Sequence, residues 1–516
     1  MPFLDFNHVS PASVSYDAII VGSGAAGIFI ATRLINQGLK VLIVESGCFE
    51  EKDEYQNLNK IEQTEKCQSN SIWNRKRMLG GTTTAWGGQS LPFSEIDFEN
   101  RPWVSSAWPI AYKDLIDHYR QANSFMEIDQ LNYDSDILAL TGLRPPSFDS
   151  NNLYYHFSKW APQPNFLKSH KKTLDKYADV LYHAHCTKIL WKDVKSLAGV
   201  GVSSLDGKFG VFRANRVFIA TGGIESVRIL LLSVSDPESP LEDHSSRLGK
   251  GFMDHPCLQI GNVKTTDPFL LFRLQKLFGT QLYKGRKYSV RMSAATQWQC
   301  DNNLLNISGG FIFLPHSDHD WLENLRLVQK KPSLQSIARL MRVSHLALIG
   351  LFVLVYHKII YRTNAKPVVA IMCEQPPVSK SFISLSPEKT DPFGQSLARL
   401  NWHIDPIVAQ TIRTFASTLK AELEKAKVCD LELDDIISCD DSRLIEALSD
   451  VNHHMGGAPM GVSPQNSVLD QWMRPWGISN LFICSAAVFP TGSHSNPTLT
   501  LLALCSRLMQ KIETDK

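Results

Sequence analysis

An α/β chain, α+β overall, built from a Rossmann-like nucleotide-binding domain and a second, mostly antiparallel-sheet domain, is the fold class that the sequence predicts. Three observations carry this. The stretch Tyr16 to Gly47 reads strand, glycine turn, helix, strand; the length of 516 residues exceeds what one hydrophobic core organises; and residues 266 to 440 carry strand-like runs without glycine motifs.

In the first stretch each glycine has a mechanical job. Gly22, Gly24 and Gly27 form G-x-G-x-x-G after the apolar run Ala18 to Val21, serving the tight turn, the close approach of a pyrophosphate to backbone, and the packing of helix on strand. Ala25 and Ala26 open a helical run that reaches Gln37, and Gly38 stops it before Val41 to Val44. The helix N-terminus offers unpaired N–H groups and a positive dipole end to phosphates. Glu45, followed by Ser46, closes the second strand where a carboxylate can accept hydrogen bonds from a ribose. A dinucleotide site follows, with FAD and NAD both open on spacing alone.

Composition bounds the partners. The formal net charge of +2, from 53 basic and 51 acidic side chains, leaves no global field for nucleic acid, so small molecules are expected. Ten cysteines without a C-x-x-C pair argue against zinc or any disulfide framework, and for reduced thiols in a cytoplasmic protein. Residues 1–15 lack a basic n-region, a long apolar core and a twin arginine, so no export signal is expected there.

Further along, residues 48 to 78 read as a polar loop or helix face. Leu79 to Gln89 then packs four glycines and three threonines into eleven residues, which suits backbone approaching a flat ligand, with a flexible surface loop as the alternative. Pro109 opens a helix with Leu115, Ile116 and Tyr119 on one face. Val180 to Trp191 reads as one strand, Gly199 to Leu205 and Lys208 to Arg213 as a hairpin turning at Asp206-Gly207, and Arg216 to Ala220 as a strand entering Thr221-Gly222-Gly223.

Together the fingerprint, the GGTTTAWGG loop, the DFENRPWV segment, HHMGGAPMG at 453–461, Val468-Leu469-Asp470 and the run NLFICSAAVFPTGSHSNPTLTLLALCSRL at 480–508 resemble the glucose-methanol-choline (GMC) family of FAD-dependent oxidoreductases. The wording is most similar to the pyranose oxidase and glucoside 3-dehydrogenase branch, which also has no aspartate where Ser485 stands. The resemblance implies FAD as the cofactor. It divides the chain into an FAD-binding domain at 1–105, 176–265 and 441–516, and a substrate-binding domain at 106–175 and 266–440. It also implies FAD contacts at Gly80, Gly81, Thr82, Trp86, Gly87, Gly88, Thr187, Ala220, Thr221, Gly222, Ser485, Ala486, Pro497 and Thr498. Relatives that attach FAD covalently have a histidine before the loop tryptophan; Ala85 stands there, so noncovalent FAD is expected.

His453 occupies the family's general-base position, and Asn496 the partner position that other branches fill with a second histidine. Alcohol oxidation removes a proton and a hydride from one C–OH group, for which a near-neutral imidazole and a hydride-accepting flavin are suited. Asn496 can hydrogen-bond the developing alkoxide. A shifted register would give these roles to His454 or His494, while His255, beside a proline, reads as a structural histidine. The expected reaction is oxidation of a secondary alcohol of a sugar or glycoside to the ketone, with oxygen, a quinone or a redox protein as electron acceptor. A sterol or other lipid alcohol, or flavin-retaining lyase chemistry, is the alternative.

In the second domain, Tyr288 to Trp298 and Leu305 to Leu314 read as strands, Asp391 to Gly394 as a turn before the strand Leu397 to Ile404, and Ile412 to Ala426 as a helix with one buried face. Val343 to Tyr356 has no Lys, Arg, Asp or Glu in 14 residues and is flanked by Lys330, Lys331, Arg339, Arg342, Lys358 and Arg362. It is shorter than the about 20 residues that a spanning helix needs. Two readings stay open: a buried core helix, or an interface-lying helix within 336–362 that would hold the enzyme peripherally at the inner face of a membrane.

Overall fold

The computed structural model describes residues 3–9, 15–69, 71–237, 239–241, 246–315 and 320–515; part of the leading stretch read for an export signal thus lies outside the described residues. The strand Ser15–Val21 is central to an eight-stranded sheet. On one side it pairs in parallel with Val41–Val44, followed by Ala178–Tyr182 and Phe3–Asp5. On the other it pairs in parallel with Phe209–Ile219, which also takes Leu481–Ile483 in parallel and Ser196–Ser203 antiparallel, with His185–Asp193 beyond. Ile19, Ile20, Leu42, Ile43, Val217 and Phe218 are all buried, so residues of both strand faces lie inside, as a covered parallel sheet requires.

The second eight-stranded sheet is antiparallel throughout and runs Glu432–Leu433, Cys257–Asn262, Lys366–Cys373, Ile307–Leu314, Arg286–Ala294, Leu153–Trp160, Gln89–Ser90, with Thr280–Tyr283 paired to Arg286–Ala294. The 20-residue helix Pro406–Lys425 lays Ile412, Phe415, Leu419 and Leu423 on the core, as the apolar spacing predicts. A three-stranded sheet joins Phe382–Thr390, Ser396–Trp402 and Ile61–Glu65.

Several local expectations are corrected. The strand expected over Val180 to Trp191 is two strands: His183 turns at φ 57°, and the chain changes neighbours from Val41–Val44 to Ser196–Ser203. Arg216 to Ala220 is no separate strand but the end of Phe209–Ile219. Trp298 belongs to the helix Thr296–Asn302, its indole N–H donating to Thr418 Oγ1 at 3.1 Å. The helix after Pro109 begins only at Ile116, following a 3₁₀ turn at Tyr112–Leu115; Leu115 and Tyr119 are buried while Ile116 is exposed.

A buried polar cluster ties the antiparallel sheet to the segments around Asp97, Arg101 and Thr491. Arg101 donates from both terminal nitrogens to the two oxygens of Glu374, each at 2.7 Å, and both side chains are sealed from water. Asn306 donates its backbone N–H to Glu374 at 3.0 Å and its side-chain amide to Asp97 at 2.8 Å. The backbone carbonyl of Asp97 accepts from Thr491 Oγ1 at 3.1 Å. Burial pushes the Asp97 carboxyl up to about 6 although Arg101 pulls it down. Replacing Arg101 by Met leaves two buried acids uncompensated, and a loss of about 3–5 kcal/mol is expected in denaturant unfolding. The double change Arg101→Met with Glu374→Met should lose less. Equal loss in both would show that the pair is not what holds the cluster.

Candidate functional site

The glycine turn is shaped by contact. A Cβ on Gly27 would collide with the carbonyl oxygen of Gly22, and one on Gly22, at φ +100°, would stand 2.6 Å from Ala220 O. A Cβ on Gly81 would stand 2.9 Å from Gly24 Cα, so the second glycine loop lies directly on the first. Ser23 ties them: its Oγ donates to Glu45 Oε2 at 2.7 Å and accepts from Gly80 N–H at 3.1 Å. Glu45 also accepts from Ser23 N–H at 3.0 Å and Gly47 N–H at 2.9 Å, so its carboxylate pins the turn as well as facing the cavity.

Around this turn runs a cavity of about 530 Å³, within the usual range of cofactor sites. Three helix N-termini open on it: Ala25–Asn36, Gly223–Val234 and Pro497–Thr514. None has a side-chain cap, whereas Asp267, Asp320 and Asp405 cap helices elsewhere. Their free N–H groups and dipole ends suit an anionic group. Arg75 Nε, His454 Nε2 and Ser485 Oγ belong to lining residues and have no partner among the described residues, as a site built for a polar ligand would leave them. These features fit a dinucleotide.

Charges are fixed beside the cavity. Arg77 reaches Glu225 at 3.1 Å, and Glu225 also binds Arg228 at 2.9 Å, which in turn holds Asp391 at 2.6 Å. Burial alone would raise the Glu225 carboxyl, but Arg228 and Arg77 hold it at about 2. Burial, then Arg77, brings His185 down to about 3.

At the other end of the same cavity stand His453 and Asn496. Asn496 Nδ2 lies 3.3 Å from His453 Nε2, and His453 Nδ1 lies 2.9 Å from His255 Nδ1. The third contact decides the tautomers. His255 Nε2 is 3.0 Å from the Gly492 carbonyl, which can only accept, so that nitrogen carries the proton. In a neutral ring the other nitrogen, His255 Nδ1, then accepts, so His453 Nδ1–H donates to it and the lone pair of His453 rests on Nε2. Both rings are neutral at pH 7: burial holds His255 at about 4 and His453 well below 6.5. Asp254, whose carboxyl burial raises to about 7, accepts the backbone N–H of His453 at 2.9 Å and of His255 at 2.7 Å. His255, read from the sequence as a structural histidine, is buried with both ring nitrogens partnered, and one of those partners is His453.

Of the residues expected to contact cofactor, Gly22, Gly24, Ala25, Ala26, Glu45, Ser46, Gly81, Thr82, Trp86, Ala220, Thr221, Gly222, Ser485, Ala486, Pro497 and Thr498 line the cavity. Gly27, Gly80, Gly87 and Gly88 do not line it; Gly27, Gly80 and Gly88 are buried in close contact with neighbouring segments, and Gly87 is exposed. Thr187 is corrected: it sits at a register shift between Cys186 and Lys188 and lines the neighbouring groove with Gln395, while Cys186 lines both groove and cavity. Sequence reasoning missed Arg75, Arg77 and His185; the only signal was the run of three cations, Arg75 to Arg77, just before the glycine loop.

Six histidines, five buried and His453 half-buried on the cavity wall, are held far enough below the usual imidazole range to give the fold a pH signature. Burial lowers His156 and His453 well below 6.5, His255 to about 4, and His185, His454 and His494 to about 3. The unfolded chain takes up protons as pH falls through about 6.5 and the folded chain does not, so stability present above that value is lost on acidification, by up to about 1.4 kcal/mol per pH unit for each group. Asp254, raised to about 7, and Asp97, raised to about 6, act oppositely and lose their share as pH rises. The histidines outnumber them, so the melting temperature should fall between about pH 7 and pH 5. A flat or rising profile would mean that these rings are accessible to protons.

Comparison with known proteins agrees with the geometry. Residues 377–505 match the GMC oxidoreductase family and residues 17–50 match an FAD binding domain. A 2-methyl-1,2-propanediol dehydrogenase from Mycolicibacterium austroafricanum is 21% identical across 95% of this chain and 94% of its own. The fructose dehydrogenase large subunit of Gluconobacter japonicus is 24% identical, over 58% of this chain and 48% of its own. A solved structure of an arginine-to-lysine variant of Aspergillus oryzae RIB40 formate oxidase shares the fold over 98% of this chain and 99% of its own, with TM-score 0.57 and 15% identity. The cavity, its glycine turns and these matches together place the chain among the GMC oxidoreductases, as an FAD-dependent oxidoreductase.

Proposed function

We propose that this oxidoreductase converts a secondary alcohol of a sugar or glycoside to the ketone. The observation that carries the reading is the lone pair held on His453 Nε2 beside the Asn496 amide, 3.3 Å away. A hydroxyl placed between them gives its proton to Nε2, while the Asn496 N–H donates to the oxygen as negative charge develops there. His453 Nδ1–H stays on His255, so the ring keeps its orientation through the transfer. Bound FAD supplies the hydride acceptor. The branch-like ending S-N-P-T-L-T and a relative named for fructose support a sugar substrate. The full-length relative named for a short diol, and the apolar surface described below, favour including aliphatic and lipid alcohols in the tests.

In the same reading, residues 1–105, 176–265 and 441–516 hold FAD, and residues 106–175 and 266–440 hold the substrate. Ala85 lines the cavity without a nucleophile, so the cofactor is held noncovalently.

Anaerobic mixing with a panel of sugars, glycosides, short diols and sterols should bleach the flavin with at least one sugar or glycoside. Bleaching by sterols alone would move the substrate class, and turnover without bleaching would point to a lyase. His453→Ala should keep FAD and slow reduction by about 10²–10⁴. His454→Ala should weaken FAD retention more than it slows reduction; the reverse ranking would shift the register by one residue. Acid precipitation should leave the yellow colour in the supernatant, and flavin in the pellet would mean a covalent link.

A further inference from the structure

The helix Ser344–His357, SHLALIGLFVLVYH, is apolar all round, yet only Gly350 and Val353 are buried. Gly350 lies so close on Trp321 that any side chain there would collide with the indole. Val353 joins Ile359 and Tyr361 in a small cluster apart from the main core. A narrow stripe therefore seats the helix, while Leu348 (68% exposed), Leu351 (52%), Phe352 (56%), Val355 (53%) and Tyr356 (69%) face outward. The preceding helix Leu334–Arg342, bent from it by 67°, adds exposed Leu334, Ile337 and Met341. Scattered apolar residues on a surface are ordinary; a contiguous set on two joined helices marks an interaction site.

Charge and anchoring say what covers it. From Asn324 to Lys366 the chain holds no Asp or Glu. Lys330, Lys331, Arg339, Arg342, Lys358 and Lys366 are exposed and make no ion pair among the described residues, whereas Arg362 is held by Asp320 and Glu323. A second copy of the chain would set these cations against one another; an anionic surface would neutralise them. Val343 and Ile359, at the two ends of the apolar helix, are both buried in the protein. Both ends therefore stay on one side, and a helix of 14 residues, about 21 Å long, could not cross a hydrocarbon layer of about 30 Å.

We propose that this helix pair docks the enzyme on an anionic lipid surface, with the exposed apolar side chains in the acyl boundary and the six cations at the headgroups. The cytoplasmic leaflet is a surface of that chemistry. The docking does not depend on which alcohol is oxidised.

Sedimentation of the holoenzyme with phosphatidylcholine vesicles containing phosphatidylglycerol tests it. The enzyme should pellet with these vesicles, far less with phosphatidylcholine alone, and less as salt is raised. Leu348→Ser with Phe352→Ser and Tyr356→Ser should cut binding at least about ten-fold while the flavin spectrum is retained. Lys330→Glu with Lys331→Glu and Arg339→Glu leaves the apolar helix intact and should cut binding as well, so the test survives if the serine variant fails to fold. Failure of the holoenzyme to pellet, or undiminished binding by either folded variant, overturns the proposal. So does a holoenzyme dimer in light scattering that the serine changes dissolve, with no vesicle binding, because the face then belongs to a second copy.

Discussion

Arg101 meets Glu374 through two parallel hydrogen bonds of 2.7 Å in a place closed to water. Neither group would tolerate that burial alone, since removing a charge from water costs several kcal/mol, and only the close fork with its added donors offsets it. The position of the pair matters more than its energy. Glu374 directly follows the strand Lys366–Cys373 of the antiparallel sheet, and Asp97, in the same cluster, accepts from Thr491 of the loop that leads to Asn496. Trp108 Nε1 donates to the same Thr491 hydroxyl at 2.7 Å. The loop that carries Gly492 and Asn496 is thereby tied, through Asp97 and its cluster, to the antiparallel sheet. A shift there would move the Gly492 carbonyl, and with it the tautomer of His255 and the lone pair of His453.

Helix ends divide between two uses. Asp267, Asp405 and Asp440 close their own helices by accepting first-turn N–H groups, which stabilises structure and leaves nothing for a ligand. The helices opening at Ala25, Gly223 and Pro497 have Gly24, Gly222 and Asn496 at that position and no side-chain cap. Glycine there gives up local stability for access. The Arg77–Glu225 contact then binds the segment before the second glycine loop to the first turn of the helix Gly223–Val234, so two of the cavity walls are joined without occupying its space.

What could be read from the sequence was what the chain encodes over short distances. The fingerprint, its flanking strands and the turn at Asp391 to Gly394 follow from spacing within a few residues, and they stand where expected. The pairing of His453 with Asn496 was legible only because a family pattern bridges the 43 positions between them. The Arg101–Glu374 fork spans 273 positions and the His255–His453 contact 198, and neither has a local signature. The strand Ile61–Glu65 hid for the same reason: IEQTE is too polar to announce itself, and it forms because Ser396–Trp402 supplies a parallel edge. For Val343 to Tyr356 composition could not choose between core and surface. The helix Ser344–His357 buries only Gly350 and Val353, which decides that it is surface.

The histidines show how the site and the fold pull against each other. In the proposed reaction the base must be neutral beforehand, and desolvation lowers both His453, half-buried on the cavity wall, and the fully buried His255. The same burial disfavours the imidazolium that proton transfer creates. What lies close at hand to offset it is limited: His255 Nδ1 accepts the proton on His453 Nδ1, Asn496 can follow the oxygen, and Asp254, near neutrality in its own titration, sits beneath both histidine backbones. None of these is a fixed full charge facing the ring. In the proposed reaction a protonated His453 is therefore disfavoured, and the Gly492 carbonyl, by holding the donor of His255 on Nε2, leaves His255 Nδ1 as acceptor for the proton on His453 Nδ1.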